Sequence, residues 1–429
     1  MKRKLVTILM ILTMVVGMQF VSRSVQKAHS APIGNNVLSH AYDIEMGRVA
    51  RAPGEQLVSS GAVYAMLEAT GELDNRANAV ASSPGNLAPL SSAQTNNNTG
   101  NGNIRVNQDF SLRRQAEEVV VVNPTNPNNL IAGQNDSRLG FNKCGYDFSF
   151  DGGKTWGDQV PPFYQFVNGD GTTFDACSDP TATFDSQGNA YIGGVLFMIN
   201  YADSAFVVAK SNAGIGGAFY HTPNSALSFQ TYRDVPLGVV ANDNDPNIFH
   251  DKEFIVADAS KTSPKRDNVY ATWTRFDFNT GAGVGGHSPI YFSQSTDGGA
   301  TWSAGIEISG VNAAVCTDFS GEADPNACDQ DQGSQPIVGK DGTIYVAFGN
   351  GNTPNVGLNQ HMVVSCPPSA DCTLATSWTA PSKISDDYGT QPFGPVAVSG
   401  CPGGRQCLPP NGYRMDDFVE GSISVDQND

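Results

Sequence analysis

Two eight-residue stretches with nearly the same sequence decide the fold of this chain. Residues 149–156 are Ser-Phe-Asp-Gly-Gly-Lys-Thr-Trp and residues 295–302 are Ser-Thr-Asp-Gly-Gly-Ala-Thr-Trp, so six of eight positions are identical. The aspartate can accept backbone N–H groups within its own turn, and glycine supplies the positive φ that a tight hairpin needs. The tryptophan can bury a large ring between neighbouring sheets. Each stretch therefore predicts a tight turn between two β-strands.

The sequence around these turns repeats a unit of four short strands. The units start, at intervals of 62, 72, 84 and 85 residues, at Glu117, Asp179, Asp251, Gln335 and Glu420. Their fourth strands are predicted to begin at or near Trp156, Phe219, Trp302 and Trp378. Four antiparallel strands per unit are typical of a β-propeller blade, and blades must stack around an axis because one sheet cannot bury both faces alone. The sequence thus predicts an all-β propeller.

The fifth unit is incomplete in this sequence. Asp429, the last residue, stands where the first turn of that unit should lie. Four blades and one additional strand would leave sheet edges open to pairing with other chains. Either the sequence is truncated, or the N-terminal segment or another chain supplies the missing pairing. We predict a propeller that is truncated within its fifth unit.

The repeated turn resembles the Asp box, or bacterial neuraminidase repeat, of sialidase-like β-propellers. The resemblance covers about residues 110–429, which we take as the propeller domain. The positions that match the box are Ser149, Asp151, Gly153, Thr155 and Trp156, and again Ser295, Asp297, Gly299, Thr301 and Trp302. In that family the boxes are structural turns on the face away from the active site. The resemblance therefore indicates the fold much more strongly than it indicates an activity.

The charge and hydropathy of the chain exclude two classes of protein. The 429 residues include 25 Lys and Arg against 42 Asp and Glu, a net charge of −17. Such an acidic chain without a basic cluster is not expected to bind nucleic acid, because basic side chains supply most of the affinity for phosphate. Beyond the N-terminus no apolar run is long enough to span a membrane, so the sequence also excludes a polytopic membrane protein.

The N-terminal residues predict export. Three basic residues precede an apolar stretch that starts at Leu5, and small residues follow at 28–31, which is the order of a secretory signal peptide. We expect residues 1–30 to be cleaved, which leaves a secreted or cell-surface protein without a transmembrane domain. Residues 31–109 are rich in Asn, Ser, Ala and Gly and are predicted to be a low-complexity linker or pro-region, with a short helix within residues 55–75.

The cysteines favour structural disulfides in an oxidising compartment. Their number is even, and the chain has Cys144, Cys177, Cys316, Cys328, Cys366, Cys372, Cys401 and Cys407. Three close pairs stand out, at 316/328, 366/372 and 401/407, and neighbour pairing is the simplest of many connectivities. The CxxC-like pairs of a zinc site are absent from the sequence.

Acidic residues recur where the first strand of each unit begins. These entries hold Glu117, Asp179, Asp251 or Glu253, Gln335 and Glu420. If the blades stack, these residues would surround the mouth of the central channel, where crowded carboxylates raise one another's pKa or bind a cation. The alternative is that each acid caps backbone N–H groups at its own strand entry. No cofactor is expected to be required, and calcium is the cation that such a ring would bind.

The resemblance also implies candidate catalytic residues. Sialidases hold the substrate carboxylate with an arginine cluster and use a Tyr–Glu nucleophile pair with an aspartate as acid/base. The counterparts here would be Arg138, Arg275, Arg414, Tyr413 and Glu420. Candidate substrate-binding residues on the same face are Arg233, Asp179, Asp245 and Glu253. The Phe/Tyr-Arg-Ile-Pro phrase of the family is absent, and solvated surface arginines are the alternative interpretation.

Three functions follow as expectations. The first is an exported propeller that binds a glycan or an extracellular protein ligand through its loop-rich face. The second is an enzyme, an exo-acting glycoside hydrolase of the sialidase type. The third is an extracellular scaffold whose acidic face binds calcium. A propeller fold supports many activities, so the fold alone does not choose among the three.

Overall fold

The computed structural model describes most of the chain from residue 33 onward. The described residues are 33–52, 54–72, 104–108, 115–138, 142–165, 171–211, 216–219, 237–279, 286–317, 326–353, 359–387, 407–408, 413–414 and 422–426. The predicted signal peptide lies outside them. The helices within these ranges are α1 (Asn36–Glu45), α2 (Ser60–Ala69) and two short 3₁₀ helices, Pro162–Gln165 and Ala375–Ser377.

Most strands of the described residues belong to four four-stranded sheets, which we number as blades in chain order. Blade 1 contains β1 (Gln115–Val122), β2 (Leu130–Asp136), β3 (Lys143–Ser149) and β4 (Gly157–Gln159). Blade 2 contains β5 (Ala176–Phe184), β6 (Ala190–Phe197), β7 (Ser204–Ser211) and β8 (Leu237–Asp243). Blade 3 contains β9 (Ile248–Ala257), β10 (Val269–Asp277), β11 (Ile290–Ser295) and β12 (Ile306–Glu307). Blade 4 contains β13 (Asp331–Val338), β14 (Ile344–Asn350), β15 (Asn359–Cys366) and β16 (Ser382–Asp387).

The blades stack around an axis, as the repeat predicts. Within every blade the strands pair antiparallel in chain order. The first strands are neighbours, because β1 contacts β5, β5 contacts β9, and β9 contacts β13. Side chains from consecutive blades fill the space between them, with Tyr146 and Ile192 between blades 1 and 2, Phe206 and Trp273 between blades 2 and 3, and Phe292 and Val346 between blades 3 and 4. The chain is therefore an all-β propeller.

The two repeated turns form as the sequence predicts. Asp151 accepts hydrogen bonds from the backbone N–H and the hydroxyl of Thr155, at 2.9 and 2.7 Å, and Asp297 accepts the same bonds from Thr301, at 2.9 and 2.6 Å. These bonds lower the pKa of both aspartates to about 2. The glycines have positive φ, between 74° and 83°. Both turns follow a third strand, so they lie at the end of the blade opposite the start of the first strand.

The fourth strand of blade 2 lies elsewhere than predicted. It is β8, which starts at Leu237, whereas the sequence predicts a start near Phe219. Phe219 is instead buried in the apolar cluster between blades 1 and 2, and its backbone N–H donates to Gln159 Oε1 at 3.0 Å. Phe219, the aromatic residue that suggested a strand start, therefore lies in the core and precedes the fourth strand in the sequence.

The sequence predicts a linker or a pro-region for residues 31–109, and the described residues between 33 and 72 pack on the propeller. Asn35 caps α1 by accepting from Val37 and Leu38, and Ser59 caps α2 by accepting from Ala62. The buried sides of the two helices form one apolar cluster with blades 2 and 3. Polar residues dominate the composition of residues 31–109 as a whole, and this average conceals two short apolar helices. The short helix expected within residues 55–75 corresponds to α2.

Three disulfides join described cysteines. Cys316–Cys328 and Cys366–Cys372 follow the neighbour pairing, and the third bond joins the remaining described pair, Cys144–Cys177. The bond Cys144–Cys177 links β3 of blade 1 to β5 of blade 2, so it ties two blades together. The predicted pair of Cys401 and Cys407 lies outside the described side chains.

After β16 the structure describes only residues 407–408, 413–414 and 422–426, and only the last of these ranges falls in the predicted fifth unit. A two-stranded sheet pairs β17 (Cys407–Leu408) with β18 (Tyr413–Arg414). Residues 422–426 form no strand, and Ser422, Ile423 and Ser424 line a cavity of about 300 Å³ against blade 4. None of the described helices has the length and apolar character needed to cross a membrane.

Removal of the inter-blade disulfide should destabilise the protein more than removal of a local one. Replacing Cys144 and Cys177 with serine should lower the free energy of unfolding by about 4 kcal/mol, because the bond closes a loop between cysteines 33 residues apart. The same change at Cys366 and Cys372, which are 6 residues apart, should cost about 2 kcal/mol. Urea unfolding of both variants measures the difference. Equal losses would contradict the loop-closure explanation.

Candidate functional site

Each blade has a β-bulge in its first strand, and the bulges have the same backbone conformation. The residue in the left-handed region is Glu117 (φ 58°) in blade 1, Asp179 (φ 55°) in blade 2, Lys252 (φ 50°) in blade 3 and Gly333 (φ 66°) in blade 4. A register shift in the strand pairing occurs at each of these positions. Because the first strands are neighbours, the three charged side chains lie close together at the end of the channel where these strands begin.

The bulges have an energetic cost that glycine would avoid. A non-glycine residue in the left-handed region costs of order 1–3 kcal/mol. Blade 4 has glycine at this position, whereas blades 1 to 3 have charged residues. Strained residues of this kind are concentrated at functional sites, where the side chain matters more than the backbone cost. The strain therefore points to a role for the side chains of blades 1 to 3.

Lys252 joins the three blades electrostatically. Its Nζ lies 3.2 Å from Glu117 Oε1 and 3.0 Å from Asp179 Oδ1. The side chains of Lys252 and Asp179 are 5% and 4% exposed, and that of Glu117 is 13% exposed. A buried charge is tolerated only with a close partner of opposite sign, so these ion pairs hold the three bulges together. Asp251 and Glu253 flank Lys252 on β9 and are also buried, and we call these five residues the channel-mouth cluster.

The environment separates the pKa values of the cluster. Burial raises the pKa of Glu117, but attraction to Lys252 and hydrogen bonds from Ser60 and Lys252 outweigh it, and the pKa falls to about 2. Burial and repulsion from Glu117 raise the pKa of Asp179 to about 7, although Lys252 opposes this shift. Burial, together with nearby carboxylates, also raises the pKa values of Asp251 and Glu253. At neutral pH the cluster thus contains an ionised Glu117 beside carboxyls that retain a proton.

The N-terminus of α2 covers the cluster. The Ser59 backbone N–H donates to Asp251 Oδ2 at 2.7 Å, while Ser60 donates its N–H and its hydroxyl to Glu117 Oε1 at 3.1 and 2.6 Å. A helix N-terminus favours negative charge because its first N–H groups have no partner within the helix. Gln332 of blade 4 completes the contacts, because its side-chain amide donates to Asp251 Oδ2 at 2.6 Å.

The structure brings together four of the acidic residues that the sequence predicts around the channel mouth. Glu117, Asp179, Asp251 and Glu253 all belong to the cluster, whereas Glu420 lies outside the described residues. Blade 4 contributes Gln332 to the cluster, and the expected Gln335 lies at the same bulge. Lys252, Ser59 and Ser60 were missed, although a lysine between Asp251 and Glu253 is the one signal that the sequence offers.

The sequence predicts a cation at the channel mouth, and the structure places the ammonium group of Lys252 there. Lys252 supplies positive charge to Glu117 and Asp179. Within the described part of the chain, no three His, Cys, Asp or Glu side chains are arranged to hold a metal ion. The alternative prediction was that each acid accepts backbone N–H groups at its own strand entry. Glu117 and Asp251 do accept backbone N–H groups, but these come from the start of α2. Calcium binding stays a prediction.

Arg138 belongs to a separate ion-pair cluster in blade 1. It is held by Asp136 and, through both terminal nitrogens, by Asp158 at 2.7 and 2.9 Å. Asp147 lies opposite Asp158 in the pairing of β3 with β4. Burial and repulsion from Asp158 raise the pKa of Asp147 to about 8. The guanidinium of Arg138 is therefore already fully engaged with carboxylates.

Arg275 belongs to a third polar cluster, in blade 3. It donates to Asp277 Oδ2 at 2.6 Å, and its guanidinium lies over the ring of Tyr291, 5.4 Å from the centroid. His250, which sequence reasoning missed, accepts a hydrogen bond from the Trp273 indole on Nδ1 at 3.0 Å. The other ring nitrogen, Nε2, lies 2.8 Å from an oxygen of Asp243. This arrangement favours the neutral tautomer with its proton on Nε2, and burial lowers the pKa of His250.

The remaining candidates are not brought to the mouth by the described structure. Asp245 accepts hydrogen bonds from Asn247 and Asn279 in exposed loops. Tyr413 and Arg414 form strand β18, of which only the backbone is described. Arg233 and Glu420 lie outside the described residues. The fold and the cluster together define the class of this protein: a β-propeller with a buried, carboxylate-rich channel mouth.

Comparisons with known proteins find similar structures and no sequence family. No protein-family model matches the sequence, and no curated protein matches it. The GH93 α-L-arabinofuranosidase of Fusarium graminearum in complex with arabinobiose is similar at 13% identity and a TM-score of 0.37, over 66% of this chain and 69% of that one. The α-L-arabinanase of Penicillium chrysogenum with arabinobiose is similar at 15% identity and a TM-score of 0.39, over 67% and 71%.

A sialidase is also among the similar structures. A mutant of Trypanosoma rangeli sialidase that displays trans-sialidase activity matches at 13% identity and a TM-score of 0.33, over 63% of this chain and 37% of that one. At this level of identity and structural overlap, the similarity says nothing about the activity of this chain.

Loss of the central cation should destabilise the blades. Replacing Lys252 with Met should lower the free energy of unfolding at pH 7 by about 3–5 kcal/mol, because buried carboxylates lose their partner. The loss should become smaller as the pH is lowered to 5, since the carboxyls then bind protons. Lys383 is the matched control, because it pairs with Asp386 at the surface and its replacement with Met should cost under about 1 kcal/mol. Urea unfolding at both pH values tests this, and similar losses for the two variants would contradict it.

Proposed function

We propose that this protein is a carbohydrate-active β-propeller that binds a glycan at the channel mouth. The observation that supports this best is the convergence of three strained, charged bulge residues, Glu117, Asp179 and Lys252, from three blades on one buried point. Polar groups that converge in a concave site orient a ligand through hydrogen bonds, and carboxylates are good acceptors for sugar hydroxyls. The three disulfides support a location in an oxidising compartment, as expected for an exported protein.

Hydrolysis of the bound glycoside is the reaction that the cluster supports. Glycosidases use two carboxyl groups, one protonated to donate to the leaving oxygen and one ionised to act as nucleophile or base. Asp179 has the raised pKa of the acid, and Glu117 has the lowered pKa of the ionised partner. Both contact the same Lys252 Nζ, so their nearest oxygens are at most about 6 Å apart, which suits a retaining arrangement better than an inverting one.

The ligand chemistry that suits this mouth is a neutral, hydroxyl-rich sugar. In the channel-mouth cluster the ammonium group of Lys252 is already paired with Glu117 and Asp179, so it is poorly placed to hold the carboxylate of an anionic sugar. The sialidase alternative would need free arginines, but Arg138 and Arg275 are each bound by aspartates in separate clusters. Binding without turnover remains the second candidate function, and the contacts of Ser59 with Asp251 and of Ser60 with Glu117 support it, because they cover the channel-mouth cluster.

Turnover should depend on the protonation of Asp179. With a panel of fluorogenic neutral glycosides and a sialoside, we expect low activity toward a neutral glycoside that falls about tenfold per pH unit above pH 7, because the proton donor is lost there. Replacing Asp179 with Asn or Glu117 with Gln should lower kcat at least 100-fold. The control, Asp386→Asn at the surface, should leave kcat unchanged.

Two outcomes separate the functions. Retained binding of a neutral glycan, without turnover by the parent protein at any pH, would favour the binding function. Turnover of the sialoside that is lost when Arg138 or Arg275 is replaced with Ala would overturn the assignment to the channel-mouth cluster.

A further inference from the structure

We propose that residues 33–72, which we call the helix pair, are a built-in occluding segment that closes the channel mouth and must move away before ligand can enter. This inference rests on the proposed site, because it concerns access to the same cluster. The carboxylates of that site are buried beneath α2 in the described state. A ligand and the start of α2 therefore compete for the same acceptor oxygens.

The contacts at the mouth resemble those that a sugar would make. The hydroxyl of Ser60 donates to Glu117 at 2.6 Å, and the hydroxyl of Ser59 lies 3.2 Å from that of Ser178. A sugar offers the same kind of hydroxyl donor to a carboxylate. The serines thus satisfy acceptors that would otherwise lose their hydration without compensation, which explains how a ligand site can be stable while it is covered.

The helix pair is held in place by apolar contacts beside the mouth. Leu38 and Met66 are fully buried, and they belong to one cluster with Phe197 of blade 2 and with Phe249 and Phe276 of blade 3. These three phenylalanines lie where β6 ends, where β9 begins and where β10 ends, which is the face of the blades around the mouth. Apolar contact of this extent keeps the segment closed without a covalent bond.

Specific polar contacts set the position of the segment. The backbone N–H of Gly34 donates to the Ile199 carbonyl at 2.9 Å, and the Asn35 side-chain amide donates to the Ile248 carbonyl at 2.7 Å. The close approach also excludes a side chain at Gly61, where a β-carbon would overlap the side chains of Ser178 and Asn135. The segment is therefore fitted to one place on the propeller.

The helix pair can leave without breaking a sheet. Blades 1 to 4 each have four paired strands, and neither α1 nor α2 contributes to their ladders. Along the sequence, residues 73–114 lie between the helix pair and β1, so the helix pair is not directly continuous with the first strand. Movement would thus expose the cluster while the propeller retains its strand pairing.

Substitutions within the full chain test the proposal. Gly61→Val places a side chain against Ser178 and Asn135 and should displace the start of α2. Leu38→Asp places a charge in the apolar contact and should release the helix pair by an independent route. Gly71→Asn is the matched control, because open space surrounds Gly71 and asparagine tolerates its φ of 75°.

Labelling of carboxyl groups measures access to the cluster. The probe is a water-soluble carbodiimide with an amine nucleophile, and mass spectrometry measures the modification of Glu117 and Asp179. We expect at least a tenfold increase in labelling in Gly61→Val and in Leu38→Asp, and no increase in Gly71→Asn. Circular dichroism should show that the β-sheet signal and its cooperative thermal unfolding persist in both variants.

The outcomes distinguish this proposal from the proposed function. Increased labelling together with at least a tenfold increase in neutral-glycoside turnover supports both. Increased labelling without turnover or glycan binding supports occlusion and overturns the function assigned to the cluster. Unchanged labelling in folded variants whose helix pair exchanges hydrogen rapidly overturns occlusion. If both substitutions abolish the sheet signal, the helix pair is a permanent part of the core, and the proposal is equally overturned.

Discussion

The contact of one lysine with two carboxylates at the propeller axis is the constraint on which the rest of the site depends. Lys252 comes from blade 3, Glu117 from blade 1 and Asp179 from blade 2, so a single ammonium group joins three blades. Taking these charges out of water is costly, and only close geometry repays the cost. The left-handed bulges provide that geometry, because they direct consecutive first strands toward the same point.

The same constraint explains the chemistry of the mouth. Because Lys252 stabilises one neighbouring carboxylate more than the others, the acids differ in pKa although they share one cavity. Groups with separated pKa values are what acid–base catalysis requires. The start of α2 then donates hydrogen bonds to the ionised Glu117 and to Asp251, so the site is stable while covered. The separated pKa values and the burial of these groups therefore have a common cause, which is the crowding of acids at the axis.

Sequence reasoning succeeded where local patterns determine structure and failed where distant residues meet. The turns at Asp151 and Asp297 form through bonds to residues three and four positions away, so their sequence is sufficient to predict them. Phe219 misled the prediction of the fourth strand in blade 2, because an aromatic residue serves equally well in the core between blades. The resemblance to sialidases implies an arginine cluster, with solvated surface arginines as the alternative, and the structure shows Arg138 and Arg275 each paired with nearby aspartates.

The sequence by itself determined the repeat of four strands, the glycine–aspartate turns, two of the three described disulfides and the acidic positions of the first strands. All of these depend on alternation, turn chemistry or spacing along a short length of chain. Only the tertiary structure decided that Lys252 neutralises those acids and that the helix pair covers them. Ser60 lies 57 residues from Glu117, and Ser59 lies 192 residues from Asp251, so these hydrogen bonds exist only because the blades stack. Separations of this length leave no periodic signal in a sequence, since the burial that makes such contacts favourable arises from the folded chain as a whole.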